Sequence, residues 1–175
     1  KCWKKGNVGI INALGTGVAD DKAVYSYVNK MIVYYLGEQP ILNQVETFLC
    51  EDKIHRQHVI ENISKLVVKP ANASGGYGIM IGPKAPKKER EEVIKKIKKN
   101  PRDFVAQPLE ILSTTPTISE NGIEPRHLDL RPFVLNGKST YVTTGGLTRV
   151  ALRKGSTIVN SSQGGGSKDT MVVDT

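Results

Sequence analysis

The sequence has 175 residues, of which 38% are hydrophobic and 24% are charged, an ordinary balance for one soluble domain with a real core. No stretch approaches the roughly 20 apolar residues that a membrane-spanning helix needs. The net charge of +8 suggests an anionic partner, but it is concentrated in one lysine-rich segment and argues only weakly for nucleic acid. Cys2 and Cys50 have no metal-binding spacing, so a reducing, cytoplasmic setting is the default expectation.

The first segment with clear periodicity predicts a helix. Residues 20–36 carry apolar side chains at helical spacing, with Asp20 as the candidate N-cap and Gly37 as the stop. This pattern predicts a helix with one buried face. Residues 51–64 predict a second helix.

A glycine-rich segment follows, between predicted strands at 66–69 and 79–81. The run PKAPKKEREEVIKKIKKNP then predicts a charged helix between two prolines, and a strand is expected at 104–107. Such a helix is typical of a solvated surface. The alternative is a basic face that binds a polyanion.

From Arg126 onwards the pattern predicts strands. The segment HLDLRPFVL alternates between apolar and polar residues, and Asn136-Gly137 is a strong hairpin signal. Extended runs follow at 139–143, 147–152 and 157–160. Helices and strands do not alternate as they do in a doubly wound sheet, so we expect an α+β fold with packed helices.

The glycine-rich segment raises the question of a phosphate site. Gly75, Gly76 and Gly78 allow a positive φ and a close backbone approach to a ligand. Lys69 ends the preceding strand, where its charge could reach a phosphate held by this loop. No helix follows Gly78, so the segment is not a P-loop, and an ordinary hairpin turn remains the alternative.

Other basic residues strengthen the phosphate hypothesis. Lys22 stands at the start of the first helix, and Arg131 and Arg149 lie on predicted strands. The segment NSSQGGGSKDT at 160–170 predicts a second glycine-rich loop. Two lysines, two arginines and two glycine-rich loops are suited to a triphosphate, because phosphoryl transfer relies on positioning and charge neutralisation. For each arginine, a structural ion pair with Asp or Glu is the alternative. Asp129 shares a predicted face with Arg131 and is its expected partner.

Seven motifs together resemble the ATP-grasp superfamily, and more narrowly the circularly permuted ATP-grasp type 2 family. The resemblance runs from about Asn12 to the end of the chain. The motifs are DK (21–22), VVKP (67–70), GGYG (75–78), AQPLEIL (106–112), DLRPF (129–133), GGLTRVAL (145–152) and NSSQGGGSKD (160–169).

The resemblance implies an ATP-grasp-like fold with mixed or antiparallel sheets, in which a nucleotide lies between two α+β subdomains. Residues 1–19 would lead in from a missing N-terminal region, and residues 20–110 would form the nucleotide-binding subdomain. Residues 111–175 would form an antiparallel meander that continues beyond the chain. The first residue is Lys rather than Met, which also suggests a fragment or a processed product.

The resemblance also assigns site residues. Lys22 and Lys69 would contact ATP, and Arg131 and Arg149 would face the transferring phosphate as catalytic residues. The hinge Gln107–Leu109 would read the adenine edge through its backbone, with Glu110 at the ribose. The remaining implied nucleotide-binding residues belong to the two glycine-rich loops: Ser74, Gly75, Gly76, Gly78, Asn160 and Lys168.

Enzymes of this superfamily typically activate a carboxylate as an acyl phosphate, which an amine then displaces to form an amide. ATP and Mg²⁺ are therefore the implied cofactors, and carboxylate and amine compounds are the implied substrates. The Glu-x-Asn metal pair of the superfamily is not found after Arg149. We therefore expect the metal ligands mainly elsewhere in the polypeptide, leave them unassigned here, and expect this chain alone to be inactive.

A second functional class stays open on the residues. A non-enzymatic basic module would use the lysines of residues 84–99 and the glycine-rich loops to bind nucleic acid or another polyanion. The tyrosines of the first helix do not form a stacking platform for bases, which makes nucleic acid a poor candidate.

Overall fold

The computed structural model describes residues 1–12, 14–73, 75–159 and 165–173. The chain divides into two compact units, Lys1–Leu109 and Glu110–Thr175. Both units are built from antiparallel sheet, and helices pack on the sheet of the first unit. The predicted α+β class is confirmed. In the described part of the chain, no helix combines the length and the apolar composition that a membrane span requires.

The first unit combines helices with an antiparallel sheet. Its helices are α1 (Lys22–Tyr25), α2 (Val28–Leu36), α3 (Lys53–Glu61) and α4 (Lys87–Lys99). Its strands are β1 (Phe48–Leu49), β2 (Leu66–Pro70), β3 (Met80–Ile81) and β4 (Phe104–Pro108). Within the described residues, the strands lie in the order β1-β4-β2-β3.

The core of this unit lies where α3 and α4 cover the sheet. Val59 of α3, Ile97 of α4 and Val68 of β2 are 0 to 1% exposed and belong to one cluster of apolar side chains. The turn after β3 approaches the chain so closely that a Cβ on Gly82 would lie 2.0 Å from the carbonyl oxygen of Ile63. Only glycine fits there, which fixes β3 beside β2.

The helix predicted at 20–36 is only partly correct. It is broken into α1 and α2, and the N-cap is Asp21, whose Oδ1 accepts from the backbone N–H of Ala23. Gly37 ends α2 with a φ of +67°, as expected. The expected buried face was wrong: Tyr35 is 75% exposed, and no residue of either helix is buried. Tyr25, Val28, Ile32 and Leu36 instead line an open groove together with residues 38–44.

Strand β1 was not predicted, whereas helices α3 and α4 and strands β2, β3 and β4 lie at or within about a residue of their predicted segments. Helices α3 and α4 lie inside the predicted segments, and α4 begins directly after Pro86. The glycine-rich segment joins β2 to β3, which pair antiparallel through Val67 with Ile81 and Val68 with Met80. The strand–loop–strand order is therefore confirmed.

The second unit is an antiparallel sheet in the order β5-β6-β7-β8. Its described strands are β5 (Thr114–Ser119), β6 (Gly122–Asn136), β7 (Thr140–Ala151) and β8 (Gly165–Lys168). Strand β5 was not predicted, because its sequence TTPTIS contains a proline and few apolar residues. The hairpin after Asn136 is confirmed.

Two of the predicted runs in this unit need correction. The runs 139–143 and 147–152 belong to the single strand β7, and its pairing with β6 has a register shift between Pro132 and Val134. Residues 157–159 are not a strand. They follow the Lys154-Gly155 turn, and the backbone N–H of Ile158 donates to Ser156 Oγ at 3.1 Å.

Candidate functional site

Lys69 lies on β2, and its amine binds a side chain of the neighbouring strand β4. The register pairs Lys69 with Val105 and Val67 with Gln107 on β4. Residues two apart share one face of a strand, so Lys69 and Gln107 lie on a diagonal of the same face. The Lys69 Nζ donates to Gln107 Oε1 at 2.6 Å. The amine is therefore held at the sheet and is half-buried.

Lys22 is fixed to the start of the glycine-rich loop by its backbone and its side chain. Its backbone N–H donates to Ala71 O at 2.8 Å, and its Nζ donates to Ala73 O. The Asp21 cap sets the direction of α1 at this point. Two hydrogen bonds from one residue thus connect α1 to the segment that follows β2.

The two lysines lie close enough to influence each other. Burial lowers the pKa of the Lys69 amine below its usual range, and the positive charge of Lys22 lowers it further. Among the ion pairs in the described part of the chain, none includes either lysine. The adjacent carboxylate of Asp21 instead binds Arg102 at 2.5 Å, which holds the pKa of Asp21 below its usual range.

The loop beside these lysines has the backbone that was expected of it. Gly75, Gly76 and Gly78 have φ values of +70°, +79° and +71°. A Cβ on Gly78 would lie 2.9 Å from Pro70 Cγ, so a side chain is disfavoured there by both conformation and space. Ser74, also predicted to bind nucleotide, lies outside the described residues.

The predicted hinge lies at the end of β4. Gln107 and Leu109 are half-buried and Glu110 is exposed. The Gln107 side chain bonds to Lys69 and also donates to Thr47 Oγ1 at 2.8 Å. Backbone recognition of adenine by this segment stays a prediction.

In the second unit, the predicted catalytic arginines lie beside Asp129. Asp129 and Arg149 are partners across β6 and β7. Arg131 donates from Nε and Nη2 to Asp129 Oδ2 at 3.2 and 3.1 Å. The expected pairing of Arg131 with Asp129 is therefore confirmed, along one strand rather than across two. Arg131 remains 45% exposed, so this pair is accessible to solvent.

The second glycine-rich segment was predicted as a loop, but its residues 165–168 form strand β8, where Lys168 pairs with Thr148. Its Nζ donates to Pro116 O at 2.5 Å and to Thr117 Oγ1 at 3.3 Å, both on β5. This contact connects the first and last strands of the sheet order. Its predicted nucleotide role stays a prediction, and Asn160 lies outside the described residues.

Sequence reasoning missed a buried ion-pair network in the second unit. Arg126 is 5% exposed, and its Nη2 lies 2.7 Å from Glu124 Oε2. Contacts from Arg126, Ser119 and Lys154 lower the pKa of Glu124 to about 2. The spacing of Glu124 and Arg126, two apart on an alternating strand, was a usable signal for this pair.

The carboxylates of the described residues do not suit a divalent cation. No group of three His, Cys, Asp or Glu side chains there converges on a point that could hold a metal. Asp129 Oδ1 is buried without a hydrogen-bond partner among the described residues, and a single carboxylate oxygen does not make a metal site built from protein ligands alone.

Comparison with known proteins identifies one family for this chain. The sequence model of the family described as "Circularly permuted ATP-grasp type 2" matches residues 1–151. An uncharacterised protein of Synechocystis sp. is 54% identical over 98% of this chain, which covers 36% of that protein. An uncharacterised protein of Mycobacterium tuberculosis is 53% identical over 97% of this chain, which covers 31% of it.

A further relative, from Frankia casuarinae, carries the name "Putative glutamate--cysteine ligase 2-2". It is 52% identical over 94% of this chain, which covers 19% of its length. The chain thus spans about a third or less of these relatives. The family match covers most of the chain, and the chain therefore belongs to the circularly permuted ATP-grasp type 2 family.

Proposed function

We propose that the chain is the ATP-binding part of an ATP-dependent carboxylate–amine ligase. The observation that carries the proposal is the pair formed by Lys22 and Lys69. The Lys22 amine bonds to Ala73 O at the start of the glycine-rich loop, and the Lys69 amine bonds to Gln107 Oε1 on β4. Neither amine has a carboxylate at ion-pair distance among the described residues. Two neighbouring cations with no carboxylate at ion-pair distance favour binding of a polyanion.

ATP fits the chemistry of this site. The two ammonium groups would neutralise phosphate oxygens, and the loop would supply backbone N–H donors from Gly75, Gly76 and Gly78, with Ser74 beside them. The backbone from Gln107 to Leu109 would read the adenine edge, and Glu110 would accept from the ribose hydroxyls. Asn160 and Lys168 are further proposed contacts. Family membership supports these roles.

The proposed reaction has two steps. A carboxylate oxygen attacks the γ-phosphorus, the bond to the bridging oxygen breaks, and ADP leaves with an acyl phosphate formed. An amine nitrogen then attacks the acyl carbon, phosphate leaves with the bonding pair, and the nitrogen loses its proton to solvent or a base. Arg131 and Arg149 are the proposed groups that stabilise charge on the transferring phosphoryl group.

To take this role, Arg131 would have to give up one of its two hydrogen bonds to Asp129. Its guanidinium already donates twice to Asp129 Oδ2, and it is partly exposed. The fork has further N–H donors, so a phosphate oxygen could be bound while one contact to Asp129 is kept. Asp129 would then orient the guanidinium rather than neutralise the site.

The substrates are proposed only as a class. The Frankia relative is named for glutamate and cysteine, and this chain covers 19% of it. An amino-acid carboxylate and an amine are thus the first compounds to test. Mg²⁺ is proposed as a cofactor with ligands mainly outside this chain, and no step above depends on it.

The proposal is tested with the full-length protein, ATP, hydroxylamine as the amine, and a panel of amino-acid carboxylates that begins with glutamate. The expected result is hydroxamate formation that requires both ATP and the carboxylate, with transfer of ¹⁸O from labelled carboxylate to phosphate. ATP hydrolysis without ¹⁸O transfer, for every carboxylate that stimulates it, would contradict the acyl-phosphate route. Absence of ATP binding would contradict the nucleotide site itself.

A further inference from the structure

One row of side chains crosses three strands of the first sheet. Strand β4 lies between β1 and β2, and Phe48 of β1 pairs with Ala106 of β4. Continued by one residue, this register brings Thr47 beside Gln107. On the other side of β4, Gln107 lies on a diagonal from Lys69. Thr47, Gln107 and Lys69 thus form one row.

The hydrogen bonds along this row have one possible direction. An ammonium group can only donate, so the Gln107 atom that faces Lys69 must be the amide oxygen. The amide nitrogen then faces Thr47 Oγ1, at 2.8 Å. The Thr47 hydroxyl donates its own proton to Val45 O at 3.0 Å, so its oxygen is free to accept.

The far end of the row is fixed to α1. The backbone N–H of Val45 donates to Tyr25 Oη at 2.9 Å, and Gln44 Nε2 donates to Tyr25 O. Tyr25 belongs to the same short helix as Lys22. Helix α1 therefore carries one of the two lysines and anchors the segment that orients the partner of the other.

A carboxylate at position 107 would not replace the amide. Glutamate has no N–H to donate, so it would face a Thr47 oxygen whose proton is committed to Val45. It would also form an ion pair with Lys69 and neutralise the charge that phosphate requires. Glutamine satisfies both neighbours and adds no charge.

We propose that Gln107, oriented by Thr47, is a positioning residue that holds the Lys69 amine in place without neutralising it, so that its charge is available to nucleotide phosphate. This inference rests on the proposed ATP site and adds a specific function for the side chain of Gln107. The backbone role of the hinge does not depend on it.

Two substitutions at position 107 separate this role from simple packing. In Gln107→Glu, the new carboxylate raises the pKa of Lys69 and weakens ATP binding by about tenfold, the effect of a lost charged hydrogen bond. In Gln107→Leu, loss of the acceptor lowers the pKa of Lys69, and ATP binding is weakened as well. A purely structural role predicts no loss of ATP affinity in Gln107→Glu, because the two side chains have nearly the same shape.

Position 47 offers a matched pair. Thr47→Ser keeps the hydroxyl and is expected to bind ATP within about twofold of the parent protein. Thr47→Val keeps the shape but removes the acceptor, leaves the Gln107 amide unoriented, and is expected to bind ATP severalfold more weakly. Gln39→Glu, at an exposed glutamine, controls for the added negative charge.

The experiment measures ATP affinity by calorimetry and the Lys69 titration by NMR of ¹³C-labelled lysine, in the full-length protein. Equal ATP affinity of parent, Gln107→Glu and Gln107→Leu, or a Lys69 titration that neither variant changes, would overturn the positioning role. If the parent does not bind ATP, the proposed function fails, and the opposite pKa shifts still test the contact itself. Equal losses in Thr47→Ser and Thr47→Val would also contradict it.

Discussion

Two lysines of the first unit and two arginines of the second unit differ in the partners that their charged groups bind. In the first unit, Lys22 and Lys69 bond to neutral oxygens and have no carboxylate partner among the described residues. In the second unit, Arg126 is buried with Glu124, and Arg131 binds Asp129. In the described part of the chain, these two lysines thus have no ion-pair partner, whereas these two arginines already bind a carboxylate.

The difference separates a binding role from a structural one. A buried amine near a second cation opposes folding, because it loses hydration and gains no opposite charge. A bound anionic ligand would compensate this unfavourable charge. A buried guanidinium with carboxylate and carbonyl partners instead supports the fold. Removing Lys69 should therefore affect binding, and removing Arg126 should affect stability.

The largest effect is expected from Lys69→Met. ATP affinity should fall by about 100-fold, since a charged hydrogen bond to phosphate is lost. The unfolding midpoint should stay unchanged or rise, because methionine has no charge to desolvate. Calorimetry and thermal unfolding measure the two effects. Lys65→Met, at an exposed lysine four residues earlier, is the control and should change neither. A fall in both quantities would remove the distinction between the units.

The next effect is on stability and comes from Arg126→Met. The substitution removes the contacts to Glu124, Pro125 and Leu152, and the unfolding midpoint should fall by more than about 5 °C. ATP affinity of the folded protein should not change. The matched substitution Arg153→Met, at an exposed arginine, should leave the midpoint in place. An unfolding midpoint of Arg126→Met equal to that of the parent would show that the network does not stabilise the fold.

Arg131→Lys tests whether an arginine in the second unit has both roles. The charge is kept but the planar fork is lost, so activity of the full-length protein should fall by about tenfold while the unfolding midpoint changes little. Steady-state kinetics with the active carboxylate and amine measure the first effect. Unchanged turnover would assign Arg131 to the ion pair with Asp129 alone.

The smallest effect is expected from the lysines at the end of α4. Simultaneous replacement of Lys95, Lys98 and Lys99, all exposed, by glutamine should leave ATP affinity within about twofold. Lys98 and Lys99 lie in the last turn of α4, where the helix dipole favours positive charge. None of the three lysines has a role in the proposed site. A large loss of ATP affinity in this variant would favour a diffuse polyanion surface over a defined site.

The sequence predicts the local parts of this site well. The glycines at 75, 76 and 78 indicated positive φ, and the strand–loop–strand order placed Lys69 before the loop. These features depend on neighbouring residues, whose preferences are visible in any single sequence. The pairing of Arg131 with Asp129 was also visible, because residues two apart on a strand share a face.

Contacts between distant segments could not be predicted in the same way. The row from Thr47 to Lys69 depends on β1, a strand of two residues without a recognisable pattern. The link between Lys22 and Ala73 joins residues 51 positions apart. The predicted burial of α2 was wrong for a different reason. Helical periodicity indicates an apolar face, but it does not show whether another segment covers that face.

The central claim is that nucleotide phosphate binds beside the Lys69 amine. The most direct measurement is the NMR titration of ¹³C-labelled Lys69 in the full-length protein, with and without saturating ATP, and with adenosine as the control. Burial and Lys22 lower this pKa in the free protein, and nearby phosphate oxygens should raise it. The account predicts a clear rise with ATP and none with adenosine. A Lys69 titration that saturating ATP leaves unchanged would contradict it.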